Sequence, residues 1–143
     1  MNKFWGHLKT ITHHRHLVMR GCFRMGLIWQ GLTHDLSKYS PTEFLAGVRY
    51  YQGDRSPNTA EREANGYSLA WMHHKGRNRH HFEYWTDLSP KTRTYEPVDM
   101  PVRYLCEMVA DRIAACKTYQ GAAYTDASPL QYLDRANESR LVH

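Results

Sequence analysis

Apolar residues in the first quarter of the chain recur at spacings near three and four, which is the period of one helix face. They are Ile11, Val18, Cys22, Met25 and Leu27. Gly26 interrupts this pattern and is suited to end one helix before the next begins. The pattern predicts two consecutive helices between residues 3 and 36, and the second, Ile28 to Leu36, carries His34 and Asp35 near its C-terminal end.

A third helix is expected to begin at the segment Ser40-Pro41-Thr42-Glu43. Ser40 can cap its first turn, Pro41 suits the first helical position, and Glu43 closes a capping box. The apolar positions that follow carry this helix to Tyr51.

Two more helices are predicted in the second half of the chain. One runs from Ala60 to about Lys75 with a weak point at Gly66, and the strongest runs from Val102 to Tyr119. Residues 89–101 read as a polar loop, and no sustained two-residue alternation indicates a strand. The expected fold class is all-α, an irregular helical bundle in one domain, residues 1–143. Its core spans about residues 12–119, and the tail, 121–143, is weakly structured with at most a short helix from Pro129.

The composition fits one folded domain that prefers small anionic partners. A length of 143 residues suits a single domain, and a hydrophobic content of 41% can fill a core. The formal net charge is +5, but the basic residues are spread along the chain instead of forming a tail. A small phosphorylated ligand is therefore favoured, and nucleic acid is an unlikely partner.

The three cysteines, Cys22, Cys106 and Cys116, indicate neither a zinc knuckle nor a disulfide framework. Their number is odd and they lack CxxC spacing. The N-terminus lacks the uninterrupted apolar stretch of a signal peptide, and no apolar run is long enough to cross a bilayer. The sequence therefore predicts no membrane association and a cytoplasmic location by default.

Candidate chemistry concentrates in the histidines and in two aspartates. Nine of the ten histidines are clustered: His7, His13, His14, His16, His34, His73, His74, His80 and His81. His34 and Asp35 end an apolar helix, and imidazole nitrogen and carboxylate oxygen are ligands for zinc, manganese and iron. Asp111 lies in an apolar helix, where a carboxylate is either exposed or must be paired, hydrogen-bonded or metal-bound. Together these residues predict a metal site.

The order of these residues resembles the HD superfamily of metal-dependent phosphohydrolases. That superfamily has a histidine on an early helix, a His-Asp doublet at the end of an apolar helix and a late helical aspartate. The matching segments are HRHLVMRGCFRMG with His16, LTHDLSK with His34, Asp35 and Lys38, and MVADRIAA with Asp111. More closely, the strings HDLSKYSPTEF, YYQG, HHKGRNRHH and DRIAA are similar to a family of short bacterial HD-like proteins without an assigned function.

The resemblance implies a site for one or two divalent ions, which could be manganese, iron, zinc or magnesium. The implied metal ligands are His16, His34, Asp35, His73, His74 and Asp111. His7, His13 or His14 remains an alternative to His16 as the first ligand. Lys38 and His80 are expected to act in catalysis, and the implied substrate-binding residues are Lys38, Arg77, Arg79 and His81.

The function that the resemblance implies is hydrolysis of a nucleotide or another small phosphoester by metal-activated water. Two alternatives stay open. A branch of the same superfamily uses a mixed-valence di-iron centre to oxidise C–H bonds, and this chain has enough histidines and aspartates for it. The third possibility is a module that binds a metal or nucleotide without catalysis.

Overall fold

The computed structural model describes residues 2–136. Seven α-helices and one hairpin lie within that range: α1 (Lys3–Arg24), α2 (Ile28–Thr33), α3 (Pro41–Tyr50), α4 (Pro57–Asn65), α5 (Leu69–Lys75), β1 (Thr86–Leu88), β2 (Tyr95–Pro97), α6 (Val102–Gln120) and α7 (Ser128–Ala136). Short 3₁₀ helices occupy Leu36–Tyr39, Phe82–Tyr84 and Gly121–Ala123. The predicted mainly α-helical, single-domain fold class is confirmed.

The two longest helices, α1 and α6, pack against each other to form the core. Val18 and Cys22 of α1 and Ala110 and Ala114 of α6 are all buried in one apolar cluster. Gly21 permits the close approach, because a Cβ at that position would lie only 3.1 Å from the Cβ of Ala110. Small residues on both helices therefore bring the two backbones together, as dense packing of an interior requires.

The predicted helix Ile28–Leu36 ends earlier than expected, at Thr33. His34 leaves the helical region with φ −50° and ψ 127°, and Asp35 adopts the left-handed conformation with φ 53° and ψ 26°. A non-glycine residue in this region is strained by roughly 1 kcal/mol or more. The turn has a consequence for both side chains, since His34 is 2% exposed and Asp35 1% exposed.

Helix α3 begins at Pro41 as predicted, but the expected capping box does not form. Ser40 makes no side-chain capping hydrogen bond, and its Oγ is buried without a hydrogen-bond partner among the described residues. Glu43 is buried and bonds two histidines of α5 instead. Hydrogen bonds from imidazole to a buried carboxylate are stronger than a surface cap, which explains why the side chain turns inward.

The helix predicted from Ala60 to Lys75 is two helices, and the expected weak point is where they separate. Gly66 ends α4 with φ 82°, a conformation in which glycine carries no steric penalty. Ser68 then caps α5 by accepting a hydrogen bond from the backbone N–H of Trp71. This second start places His73 and His74 in the last turn of α5.

One further region differs from the sequence expectation. The polar segment predicted as loop contributes β2, which pairs antiparallel with β1, with Asp87 opposite Glu96. In the tail, the short helix expected from Pro129 is present as α7, and it packs against α6. Residues 137–143, for which fraying was expected, lie outside the described residues. No helix within residues 2–136 is long and apolar enough to cross a membrane.

Candidate metal centre

Residues from five separate segments meet at one buried position beside the α1–α6 core. We call this set the histidine–carboxylate cluster, and its members are His14, His34, Asp35, His74, His80, His81 and Asp111. Helix α1 supplies His14, and the turn after α2 supplies His34 and Asp35. Helix α5 supplies His74, the loop after it supplies His80 and His81, and α6 supplies Asp111. Residues almost a hundred positions apart in sequence thus share one site.

Asp35 stands at the centre of the cluster because its two oxygens face different histidines. Oδ2 lies 3.3 Å from Nε2 of His34 and 3.8 Å from Nε2 of His14. Oδ1 lies 3.3 Å from Nε2 of His74 and 3.4 Å from Nε2 of His80. One carboxylate therefore joins two sets of imidazoles.

The cluster contains two four-residue groups that share Asp35, and a third possible group, His34, His80 and Glu107, links them. The α1 group consists of His14, His34, Asp35 and Asp111, and the α5 group consists of Asp35, His74, His80 and His81. Within each group, one potential ligand atom per residue lies within 4.8 Å of every other. That spacing is compatible with a single ion bound among them at ordinary metal–ligand distances of about 2.0–2.3 Å.

Asp111 connects the α1 helix side of the cluster to α6. Its Oδ1 lies 2.8 Å from Nε2 of His14 and 3.5 Å from Nε2 of His34, and its Oδ2 lies 3.8 Å from Nε2 of His80. The sequence left two possibilities for Asp111: a carboxylate that is paired or bound to metal, and an exposed carboxylate. Its side chain is only 16% exposed, which agrees with the first possibility and not with the second.

Two further carboxylates hold the outer nitrogens of the histidines. Oε1 of Glu107 lies 2.9 Å from Nδ1 of His34 and 3.2 Å from Nδ1 of His80. Oε2 of Glu43 lies 2.8 Å from Nδ1 of His74. An imidazole that donates its Nδ1–H to a carboxylate keeps its Nε2 lone pair for a metal and is fixed in orientation. Each of these three histidines turns Nε2 toward Asp35.

The inner atoms of the cluster lack the hydrogen bonds that buried polar atoms normally make. Nε2 of His34, His80 and His81 and Oδ1 of Asp35 are buried without a hydrogen-bond partner in the described part of the chain. Such atoms are rare in folded proteins and costly to bury. Because nitrogen and oxygen donors converge here, the residues fit a bound divalent ion.

The electrostatics of the cluster favour an ionised Asp35 and a neutral His81 but a protonated His34. Burial alone would raise the pKa of Asp35, but the charges of His34 and Lys38 outweigh it and hold that pKa well below the ordinary value. Burial lowers the pKa of His81, and the neighbouring His80 lowers it further. Burial would also lower the pKa of His34, but the neighbouring carboxylates outweigh it and raise that pKa well above the ordinary value, so this histidine must release a proton to ligate a metal.

The histidine expected as the first ligand, His16, does not join the cluster, and His14 holds that place. His16 is exposed on α1, whereas His14 is 6% exposed and faces Asp111. Two residues rotate the side chain by about 200° around a helix, so both cannot face the same side. His13 is also exposed, and His7 is buried elsewhere on α1.

The later histidines lie at positions that differ from those expected of them. His73, expected as a metal ligand, lies outside both groups and approaches Oε1 of Glu43 with its Nδ1 at 2.6 Å. His80 and His81, expected to act in catalysis and substrate binding, belong to the α5 group. The reason is that α5 ends at Lys75, so the chain turns back and brings the second histidine pair to the cluster.

The three basic residues expected at the substrate lie in different surroundings. Nζ of Lys38 is 2.6 Å from Oδ2 of Asp35. Burial would lower the pKa of Lys38, but the charge of this carboxylate outweighs it and raises the pKa. Arg77 and Arg79 are exposed; Arg77 donates to the carbonyl of His73, and Arg79 donates to the hydroxyl of Tyr104. Of the three, only Lys38 lies at the cluster.

A cavity of about 520 Å³ borders the cluster. Its wall includes His14, His74, His81, Asp111 and Lys38. A volume of this size is in the usual range of small-molecule sites. The cluster is therefore buried yet reachable by a ligand of modest size.

Glu43 and Glu107 contact the cluster, and neither was predicted from the sequence as a site residue. Glu107 is four residues before Asp111 on α6, so helical spacing alone places both on one face. Glu43 was assigned to a capping box, a motif that accounts for a glutamate at that position without any other role. Its true partners lie 30 and 31 residues away in sequence, a separation that local patterns do not report.

The fold and the cluster define a helical protein with a buried histidine–carboxylate site able to hold metal. The sequence profile of a family described as "Family of unknown function (DUF5662)" matches residues 3–143, so the chain belongs to that family. The comparison with curated proteins gave no match, and neither did the comparison with solved structures.

Proposed function

We propose that the protein is a metal-dependent phosphohydrolase that acts on a small phosphoester. The observation that carries the proposal is the position of Asp35, whose two oxygens face two separate sets of imidazole nitrogens. A carboxylate shared by two ligand groups suits two ions held close together, which is an arrangement that phosphoryl-transfer enzymes use. The resemblance to the HD superfamily supports the same chemistry.

The donor set favours a transition metal over magnesium. Five of the seven cluster residues are histidines, and imidazole suits zinc and iron, while manganese accepts the carboxylates beside them; magnesium prefers oxygen ligands and retained water. Glu43 and Glu107 strengthen the case, because carboxylates that accept from the outer imidazole nitrogen are the usual support of ligating histidines. We infer manganese, iron or zinc as the resident ions.

The reaction would add water across the phosphoester. The oxygen of water forms a bond to phosphorus, the ester P–O bond breaks, and the leaving alcohol oxygen takes a proton. A divalent ion bound in the cluster supplies a water of lowered pKa and neutralises charge on the phosphate. The protein's own groups fix the ligands and exclude bulk water from the buried side of the cavity.

Lys38 is the residue of this chain best placed to contact the phosphate. Its ammonium group lies beside Asp35 and forms part of the cavity wall. The raised pKa of Lys38 keeps the group charged throughout the physiological range. An N–H of this ammonium can donate to a phosphate oxygen, a bond strengthened because both groups are charged.

The test is release of inorganic phosphate from a panel of phosphomonoesters and phosphodiesters by protein loaded with manganese, iron or zinc. We expect release that stops on addition of a chelator and returns with the metal. Lys38→Met should keep the metal, because the lysine is not a ligand, and lose at least about tenfold in rate, because the phosphate contact is lost together with the ion pair to Asp35. Arg77→Met, which removes an exposed cation away from the cavity, is the matched control and should retain full rate.

Failure of fully metal-loaded protein to release phosphate from any member of the panel would overturn the proposal. If the resident metal is iron, with a visible absorption band and oxygen uptake, the di-iron oxygenase is the better assignment. The same cluster could serve it, because that chemistry needs about six histidine and aspartate ligands and the cluster has seven such residues.

A further inference from the structure

His7 is a buried histidine that takes no part in the cluster. It is 6% exposed and lies two helical turns before His14 on the same side of α1. Its ring packs against the rings of Phe44 and Tyr51, at centroid distances of 5.3 Å and 5.9 Å. Its Nδ1 is buried without a hydrogen-bond partner in the described part of the chain.

The fold makes room for the His7 ring at one specific position of α3. Gly47 lies against the ring, and a Cβ at that position would overlap its Nε2 and Cε1 atoms. Any residue other than glycine would displace the imidazole. A buried polar ring seated in this way, with a nitrogen left unpaired, indicates a hydrogen bond that another molecule completes.

His7 lines the same cavity as the cluster, at a different part of its wall. The cavity wall includes His14, His74 and Asp111 of the cluster, and it also includes His7 and Asn58 in the first turn of α4. Seven residues of α-helix separate His7 from His14, a rise of about 10 Å along the axis. A ligand that touches both ends must therefore be extended.

The protonation state of His7 restricts the chemistry of the group that it can recognise. Burial, together with the positive charge of Lys38, lowers the pKa of His7 to about 4. Near neutral pH the ring then offers one N–H donor and one nitrogen acceptor. Such a ring can form hydrogen bonds with a hydroxyl, an amide or a ring nitrogen, but it carries no positive charge that would attract a second phosphate.

We propose that His7 binds the organic part of the substrate and selects esters that place a hydroxyl, amide or ring nitrogen about 10 Å from the reacting phosphate. The inference rests on the proposed function, because it takes the cluster as the end that receives the phosphate. It adds that short esters are poor substrates. A substrate of the size of a nucleoside or disaccharide monophosphate fits the requirement.

The experiment compares two phosphonates, which are not hydrolysed because a P–C bond stands in place of the ester P–O bond. One is methylphosphonate, and the other is the 5′-phosphonate analogue of adenosine monophosphate. Calorimetry with manganese-loaded protein should show at least about tenfold tighter binding of the long phosphonate, a difference of about 1.4 kcal/mol. His7→Phe should remove that preference and leave methylphosphonate binding unchanged, whereas His7→Asn, which retains hydrogen-bonding groups, should recover part of it.

His16→Phe is the matched control, because it makes the same change at an exposed position of the same helix. A second measurement does not depend on the variants: the His7 ring resonances in wild-type NMR spectra should shift with the long phosphonate and stay in place with the short one. Equal affinity for both phosphonates, or an unmoved His7 resonance, would overturn the inference and leave the hydrolase intact. If neither phosphonate binds, the proposed function itself is overturned.

Discussion

The two ligand groups that share Asp35 differ in their donors and in the elements that hold them. The α1 group has two carboxylates and two imidazoles, whereas the α5 group has one carboxylate and three imidazoles. The second set is richer in nitrogen and so more selective for zinc or iron, while the first tolerates manganese more readily. Two ions in this cluster would therefore not be equivalent.

The two groups also differ in how firmly the surrounding elements hold their residues in place. His14 and Asp111 project from α1 and α6, the two long helices that form the core. His80 and His81 follow a short helix and depend on side-chain hydrogen bonds, among them the bond that Asn78 donates to Ser37 at 2.8 Å. The α1 group is thus preformed by packing of the two long helices, whereas the α5 group depends on side-chain hydrogen bonds.

The largest effect should follow Asp35→Asn, because this residue belongs to both groups. Asparagine tolerates the left-handed conformation of residue 35, so the backbone change is small. We expect loss of both ions, seen as a fall from about two metal ions per chain to nearly none by elemental analysis. Retention of one full equivalent would mean that Asp35 does not join the two groups.

Asp111→Asn and His80→Ala should separate the groups. The first change removes a ligand of the α1 group, and the second removes a ligand of the α5 group. Each variant should keep about one ion per chain, and the two remaining ions should differ in affinity by at least about tenfold because their donor sets differ. Metal titration followed by calorimetry measures both quantities. Identical behaviour of the two variants would contradict the division into two groups.

Glu107→Gln and Glu43→Gln test the outer carboxylates, with a smaller effect. Either change should weaken metal binding by about 10- to 100-fold, because the imidazole ligands lose the partner that orients them. Glu107 contacts His34 and His80, so its loss should affect both groups, whereas loss of Glu43 should affect only the α5 group.

Glu61→Gln is the matched control for these two variants. Glu61 is a buried carboxylate of the same kind, but it accepts a hydrogen bond from Ser68 and touches no cluster residue in the described contacts. Its replacement should alter stability without altering metal affinity. Equal loss of affinity in all three variants would show that the effect is one of general destabilisation.

The smallest effect is expected at His16. His16→Ala should leave metal content and affinity within about twofold of wild type, since surface substitutions away from a site are usually neutral. His14→Ala, two residues earlier, should abolish binding in the α1 group. A loss of metal in His16→Ala comparable to that in His14→Ala would contradict the arrangement described for α1.

The sequence predicted the helices and the centre of the site because these features leave local signals. The apolar period identified α1 and α6, and the doublet His34-Asp35 and Asp111 lie in the cluster as expected. The choice among the early histidines was missed, although the sequence carries a signal for it. His14 lies three residues after Ile11 and four before Val18, on the apolar face of α1. His16 lies on another side of the helix. Their burial depends on the packing of α1 against α6.

The remaining differences have the same physical origin. Whether Glu43 caps a helix or binds His74 depends on where α5 lies, and the break at Gly66 decides that position. His80 and His81 reach the cluster because the chain reverses after Lys75. Tertiary placement of short helices decided these roles. The resemblance to the HD superfamily stays a prediction.

The most direct test of the account is elemental analysis of the purified protein beside Asp35→Asn, with thermal unfolding of both in the presence and absence of a chelator. We expect about two manganese, iron or zinc ions per wild-type chain, a lower melting temperature on chelation, and neither property in Asp35→Asn. A wild-type protein that carries no metal, cannot be loaded with any of these ions and melts at the same temperature with chelator would contradict it.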